Sequence, residues 1–196
     1  MRGPIGQMAR LRCSMRLSWT EGQTRVSFSF PVARALSGLT SPAMSETEIF
    51  GDDEHFTTVM ADGVCVSTPT GSTAYNLAAG GSLCHPENPV MLLTAISPHT
   101  LSFRPVILPD TIVMRLGVPY AARASSWASF DGRERIELCP GDYVTISASR
   151  YPFASVQQHG RRSEDWINSI SAKLAWNSRS RPKAYQAMEG VGEGQG

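Results

Sequence analysis

The sequence predicts a mostly β domain of the α+β class, built from stacked β-sheets with two helices. From residue 45 onward, short runs of β-branched and aromatic residues follow one another, and turn residues separate them. Two further stretches have helical spacing instead. Of the 196 residues, 41% are hydrophobic and 18% are charged, which is enough apolar material for a folded core.

Strands are predicted where these runs occur, at residues 24–30, 48–50, 56–60, 63–67, 90–96, 111–118, 125–130, 134–138 and 143–149. Between two of them, Asp131-Gly132 favours a tight hairpin. The turn residues Pro140-Gly141-Asp142 are expected to close the next hairpin.

The first predicted helix, residues 73–79, is short and stops at Gly80-Gly81, because glycine can adopt the left-handed conformation of a helix C-cap. The second, residues 163–176, begins with a capping serine and two acidic residues, and its apolar residues recur four positions apart. It is therefore expected to lie on the outside of the sheet.

The predicted core follows from alternation along the strands and from helical spacing. Its members are Val64, Val66, Leu92, Ile96, Ile107, Ile112, Trp127, Ile136, Val144, Ile146, Trp166 and Ile170.

Charge and composition indicate three segments. Residues 1–44 carry six arginines and one acid, and they are expected to be a weakly structured lead-in or an edge strand. Residues 45–185 form the folded domain, and residues 186–196 form a flexible tail. The lead-in resembles a mitochondrial transit peptide, although its prolines interrupt any long helix, so a cytoplasmic location is the first expectation and a mitochondrial one the alternative.

The net charge of +1 implies no general attraction to nucleic acid or to anionic membranes, and neither is expected as a partner. No apolar run has the eighteen or so residues of a membrane-spanning helix. The four cysteines lack metal-ligand spacing, so reduced thiols and no bound metal are expected.

The most informative stretch is a buried strand that runs through a hydroxyl-rich turn into a helix, at residues 62–75. The start of a helix exposes unpaired amides that can bind phosphate or sugar oxygens. Thr70, Ser72 and Thr73 add hydroxyl groups, Gly71 allows close approach, and Tyr75 offers an aromatic face. Serine and threonine before a helix also serve as simple caps, so this chemistry alone leaves both interpretations open.

Four blocks in this order resemble the carboxy-terminal part of NAD kinases, the fungal ones especially. They are DGVCVSTPTGSTAYNLAAGG (62–81), His85-Pro86, PHTLSFRPVILP (98–109) and WASFDGRE (127–134). The resemblance covers about residues 45–185. It implies an enzyme that transfers a phosphoryl group from ATP, with a divalent metal such as Mg²⁺, to the 2′-hydroxyl of the adenosine ribose of NAD. It also implies a homo-oligomer.

The family's NAD-site positions correspond here to Asp62, Thr70, Thr73, Ala74, Tyr75 and Asp131. Asp62 would contact a nucleoside group of NAD, and Tyr75 would lie at the ribose and base. Asp62 and Asp131 each precede a glycine, so an ordinary turn role stays open for both.

The family's Gly-Gly-Asp-Gly loop, which carries the catalytic aspartate, is absent from this sequence, and no catalytic residue is assigned. We therefore expect a truncated or split family member that keeps much of the NAD site and needs the other domain for turnover. The alternative is a non-catalytic β-rich module that assembles with full-length NAD kinase and modulates it.

Overall fold

A computed structural model of the chain describes residues 8–12, 15–21, 24–30, 34–37, 45–130, 134–149, 153–157 and 164–176. The chain divides into two compact units, residues 1–160 and residues 161–196. The first unit contains the strands and the turn-helix segment that follows β7, and the second contains the longer helix.

In chain order the elements are β1 (Met8–Arg12), β2 (Met15–Glu21), β3 (Thr24–Phe30), β4 (Arg34–Ser37), β5 (Ser45–Gly51), β6 (Glu54–Ala61), β7 (Gly63–Ser67), α1 (Tyr75–Ala78), β8 (Val90–Ile96), β9 (Val106–Pro109), β10 (Met114–Gly117), β11 (Ser126–Phe130), β12 (Glu134–Leu138), β13 (Tyr143–Ala148), β14 (Phe153–Gln157) and α2 (Glu164–Leu174).

The strands form two six-stranded sheets and one two-stranded ribbon, and every pair is antiparallel. Sheet 1 has the order β3-β2-β13-β10-β5-β6, sheet 2 has the order β12-β11-β4-β7-β8-β9, and β1 pairs with β14. The predicted mostly β class with stacked sheets is confirmed.

Each predicted strand is present, with ends that shift by up to three residues, and the structure adds β1, β2, β4, β9 and β14. β2 and β4 are internal strands of the two large sheets, within the stretch that we described as a lead-in. The domain limits at residues 44 and 185 stay predictions.

One hydrophobic core lies between the two sheets. Sheet 1 contributes Ile49, Val59, Ala61, Met114, Leu116, Val144 and Ile146, and sheet 2 contributes Val64, Val66, Met91, Leu93, Ala95, Ala128, Phe130 and Leu138. Alternation along each strand explains the pattern, because every second side chain points to the partner sheet.

The predicted core is partly right. The residues confirmed as buried are Val64, Val66, Leu92, Val144, Ile146 and Ile170. Ile96, Ile112, Trp127, Ile136 and Trp166 are only half-buried. Ile107 is 52% exposed, so its assignment to the core is wrong: it lies on the outer face of the edge strand β9, while Val106 and Leu108 pack against the core.

The turn at Pro140-Gly141-Asp142 is present, but the hairpin predicted around it is wrong. Gly141 has φ +92°, and the Asp142 amide donates to the Cys139 carbonyl at 2.9 Å, which matches a type II turn. The flanking strands β12 and β13 nevertheless belong to different sheets. A local turn signal does not specify whether the strands it joins pair with each other.

A tight hairpin that the sequence reading did not assign joins β5 to β6. Asp52 and Asp53 both have positive φ, at 49° and 69°, as in a type I′ turn. The Asp52 carboxylate accepts a hydrogen bond from the Val113 amide at 2.9 Å, and the Asp52 amide donates to the Val113 carbonyl at 2.9 Å. Asp52 and Asp53 are therefore the connection between two strands of sheet 1.

The helix α2 begins with Glu164 and Asp165, whose negative charges stabilise the helix at the positive end of its dipole. On this helix Ile170 is buried, Trp166 is half-buried and Ile167 is 52% exposed. The expected placement of the helix on the sheet stays a prediction.

Candidate functional site

The candidate site is the elbow, which we define as residues 68–81, directly after β7. Residues Thr70–Thr73 form one turn of 3₁₀ helix, and α1 follows after Ala74. Pro69 precedes the turn with φ −53°, a value that proline favours and that suits a first helical turn. The predicted helix at 73–79 is therefore two short pieces with a break at Ala74.

Three amides in the first turn of the elbow are bonded within it. The Gly71 amide donates to the Thr68 hydroxyl at 3.3 Å, and the Ser72 amide donates to the Pro69 carbonyl at 3.1 Å. The Ala74 amide donates to the Gly71 carbonyl at 3.0 Å. The expectation of free amides for a ligand is wrong at these three positions, so exposed side chains become the main candidates.

The end of α1 is a Schellman motif. The Gly80 amide donates to the Leu77 carbonyl at 3.0 Å, and the Gly81 amide donates to the Asn76 carbonyl at 2.8 Å. Gly80 has φ +81°, in the left-handed region. This confirms the predicted stop at Gly80-Gly81.

Ser72 points inward rather than toward a ligand, contrary to expectation. Its side chain is fully buried, its hydroxyl donates to the Cys84 carbonyl at 3.3 Å, and it accepts from the Cys84 amide at 3.0 Å. Ser72 thus ties the elbow to the segment that leads to β8.

Asn76 is the residue that the sequence reading missed. Its side chain is fully buried, and its Nδ2 donates to the carbonyls of Ser72 at 3.3 Å and Ser82 at 3.1 Å. Its Oδ1 accepts a hydrogen bond from the Thr94 hydroxyl on β8 at 2.8 Å. The only local signal was a polar side chain in a short helix beside a glycine pair.

The outer surface of the elbow carries four of the predicted residues. Tyr75 is 48% exposed, Ala74 is exposed, and Thr70 and Thr73 are half-buried. The Thr73 hydroxyl donates to the Thr70 carbonyl at 3.4 Å. The structure therefore brings Thr70, Thr73, Ala74 and Tyr75 together within one accessible segment.

Asp62 lies apart from this group. It is exposed at the opposite end of β7, where its amide donates to the Ile96 carbonyl at 3.0 Å. Thr68 lies six steps along the extended chain from Asp62, or about 20 Å at about 3.3 Å per residue. Within one chain, Asp62 does not line the elbow.

Asp131 lies outside the described residues. The strand before it, β11, runs parallel to β7 with β4 between them, and Phe130 is level with Val66 through their shared partner Arg34. The carboxyl ends of β11 and β7 therefore lie at the same end of sheet 2, where the elbow begins.

Among the described residues, His, Cys, Asp and Glu do not gather in groups of three or more that could hold a metal ion. No helix in that part of the chain is long and apolar enough to cross a membrane.

Ser67, the last residue of β7, provides a test of packing beside the elbow. Its side chain is fully buried, and its hydroxyl has no hydrogen-bond partner among the described residues. Because a buried unpaired hydroxyl costs about 1–3 kcal/mol, Ser67→Ala is expected to raise the free energy of unfolding by about 1 kcal/mol. Urea denaturation followed by circular dichroism measures this change.

Ser126→Ala is the matched control, because Ser126 is also buried but its hydroxyl lies 2.9 Å from the Ser45 hydroxyl. This variant is expected to lower the free energy of unfolding by about 1 kcal/mol. If both variants shift stability in the same direction, the argument from the unpaired Ser67 hydroxyl is wrong.

The fold and the elbow together define a class: a two-sheet β domain with a strand-turn-helix segment that follows an internal strand of sheet 2. Residues 36–158 match the family model described as the ATP-NAD kinase C-terminal domain. The chain therefore belongs to the NAD kinase family.

Individual relatives agree with this assignment. The chain is 53% identical over 139 residues to an uncharacterized kinase of Schizosaccharomyces pombe, covering 71% of this chain and 26% of that protein. It is 48% identical over 145 residues to the NAD(+) kinase of Saccharomyces cerevisiae, covering 74% of this chain and 27% of that protein. The chain thus spans about a quarter of the length of these two relatives.

Among solved structures, the crystal structure of yeast NADH kinase complexed with NADH superimposes with a TM-score of 0.80 at 32% identity. The superposition covers 88% of this chain and 50% of that one. An Archaeoglobus fulgidus NAD kinase in complex with ATP has a TM-score of 0.68 at 17% identity, which shows a shared fold.

Proposed function

We propose that this chain is the dinucleotide-holding part of a NAD kinase. In the whole enzyme, NAD would lie against the elbow with the 2′-hydroxyl of its adenosine ribose presented to ATP, and phosphoryl transfer would give NADP. Membership of the family and the solved yeast relative with NADH support this proposal.

One observation carries the proposal: the inner side of the elbow is fixed by buried hydrogen bonds while its outer side leaves Tyr75 accessible. Ser72 and Asn76 are fully buried, whereas Tyr75 is 48% exposed. An aromatic face held on a fixed backbone suits a ribose or a base, because little freedom is lost on binding. The hydroxyls of Thr70 and Thr73 and the small side chain of Ala74 complete the surface.

The other partners follow from the same proposal. ATP would enter as the second substrate together with a divalent metal ion such as Mg²⁺, and phosphoryl transfer would depend on how these groups are positioned. Asp62, about 20 Å from the elbow, would act on a distant part of the dinucleotide or on one held by a second copy, in a homo-oligomer. Asp131 would approach the dinucleotide from the end of β11. A cytoplasmic location is part of the proposal.

Isothermal titration of the chain with NAD tests the proposal. We expect heat of binding from the unmutated chain and an affinity about tenfold weaker for Tyr75→Ala, because stacking of an aromatic side chain on a base contributes about 1–3 kcal/mol. Tyr75→Phe, which keeps the ring, should stay close to the unmutated affinity.

Tyr120→Ala is the matched control, because Tyr120 is 90% exposed and lies outside the elbow. Its affinity should equal that of the unmutated chain. A folded chain that gives no heat of binding on titration with NAD, or a Tyr75→Ala variant that binds as tightly as Tyr120→Ala, would refute the role of the elbow.

A further inference from the structure

The two faces of the central strands β7 and β8 are both covered, but by different layers. Val64 and Val66 of β7 belong to the core between the sheets, and so does Leu93 of β8. The alternate residues of both strands point away from that core. They are Cys65, Ser67, Leu92 and Thr94, each at most 2% exposed, so the outer face is buried as well.

The elbow is bonded to this outer face by a hydrogen bond between two buried side chains. The Thr94 hydroxyl donates to Asn76 Oδ1 at 2.8 Å, and both side chains are at most 1% exposed. Thr94 pairs with Cys65 of β7, and its own strand β8 is an internal strand of sheet 2, between β7 and β9. The bond therefore joins a short helix to a rigid internal strand.

The same amide also fixes the elbow on itself. Asn76 Nδ2 donates to the Ser72 carbonyl in the 3₁₀ turn and to the Ser82 carbonyl after α1. Its carboxamide thus joins the strand, the turn and the segment beyond the helix. Because α1 is only four residues long, its own backbone bonds cannot hold it in place.

Tyr75 immediately precedes Asn76, so the orientation of the exposed ring depends on the buried amide beside it. We infer that Thr94 and Asn76 are positioning residues, which act through Tyr75 to set the affinity of the elbow for a pyridine dinucleotide. This inference rests on the proposed function. Neither side chain is accessible at the surface of the elbow, so each would act through its neighbours.

Two substitutions at Thr94 separate positioning from packing. Thr94→Val keeps the volume and loses the hydroxyl, whereas Thr94→Ser keeps the hydroxyl and loses a methyl group. If Thr94 only fills space, the serine variant is the weaker binder, because it leaves a small cavity. If it positions the elbow, the valine variant is the weaker binder, because Asn76 Oδ1 loses its donor.

The experiment titrates NAD into the full chain by calorimetry and measures hydrogen exchange of the elbow amides in the absence of NAD. We expect Thr94→Val to weaken NAD binding about tenfold, and Thr94→Ser to stay within about twofold of the unmutated chain. In Thr94→Val the bonded amides of Gly80 and Gly81 should exchange about tenfold faster.

Thr47→Val is the control, because Thr47 is a buried threonine of sheet 1. It should change neither the affinity for NAD nor the exchange at Gly80 and Gly81. The inference would be overturned if Thr94→Val bound NAD as tightly as the unmutated chain, or if Thr94→Ser bound NAD more weakly than Thr94→Val.

The exchange measurement keeps the two failures distinct. If the unmutated chain does not bind NAD, the proposed function fails, and the exchange rates still decide whether Thr94 holds the elbow. Unchanged exchange in Thr94→Val overturns the inference in that case too, and faster exchange confined to the elbow supports the positioning role.

Discussion

Leu93→Ala is expected to lower the free energy of unfolding by about 3 kcal/mol. Leu93 is fully buried in the core between the two sheets, and its cross-strand neighbours are Val66 and Val106. Removing its side chain costs the transfer free energy of three carbon atoms and leaves a cavity that internal strands cannot fill by collapsing. Equilibrium urea denaturation, with an unchanged m-value, measures the loss.

Ile107→Ala is the matched control, since it removes the same number of carbon atoms from the neighbouring strand. Ile107 is 52% exposed and lies on the outer face of β9, so the loss should stay below about 1 kcal/mol. Similar losses for the two variants would contradict the assignment of the core to the space between the sheets.

The contrast between these two residues shows what sequence can predict about a sheet. Turn residues, alternation and β-branched runs were sufficient to locate nine of the fourteen described strands, because these signals are local. The run Val106–Pro109 is continuously apolar, so it does not reveal which of its side chains face the core. The pairing of Leu93 with Val106 sets that choice, and pairing is a property of the whole sheet.

Long-range pairing also explains the strands that sequence reasoning left out. β4 has only four residues, yet it lies between β7 and β11 in the middle of sheet 2. A strand that short carries little periodic signal of its own. Likewise, the type II turn at residues 139–142 was visible locally, but its role as a crossing between sheets was not.

The outer residues of the elbow were predictable, and its support was not. Thr70, Thr73 and Tyr75 lie in a motif whose hydroxyl and aromatic side chains indicate a polar, accessible surface directly from their residue types. Asn76 is joined to Thr94, which is eighteen positions away in the sequence, and no local pattern relates the two. The sequence therefore predicts the accessible surface of the elbow better than the buried bonds that hold it in place.

Gly81→Ala is expected to lower the free energy of unfolding by about 3 kcal/mol and to weaken NAD binding at least tenfold. A Cβ atom at Gly81 would overlap the carboxamide of Asn76, and it would lie 2.6 Å from Nδ2. That carboxamide cannot swing aside without giving up its hydrogen bonds to Ser72, Ser82 and Thr94. The cost is thus overpacking plus buried polar groups left unpaired.

Two further variants isolate this cause. Gly80→Ala should cost only about 1 kcal/mol, because Gly80 has open space around it and the penalty comes from its left-handed backbone, φ +81°. In an Asn76→Ala background, Gly81→Ala should have almost no further effect, since the carboxamide it meets is gone. Thermal and urea unfolding of the four members of this double-mutant cycle give the coupling energy. Additive losses would mean that Gly81 is required by the backbone rather than by Asn76, and the elbow would then be fixed by its chain path instead of by its buried amide.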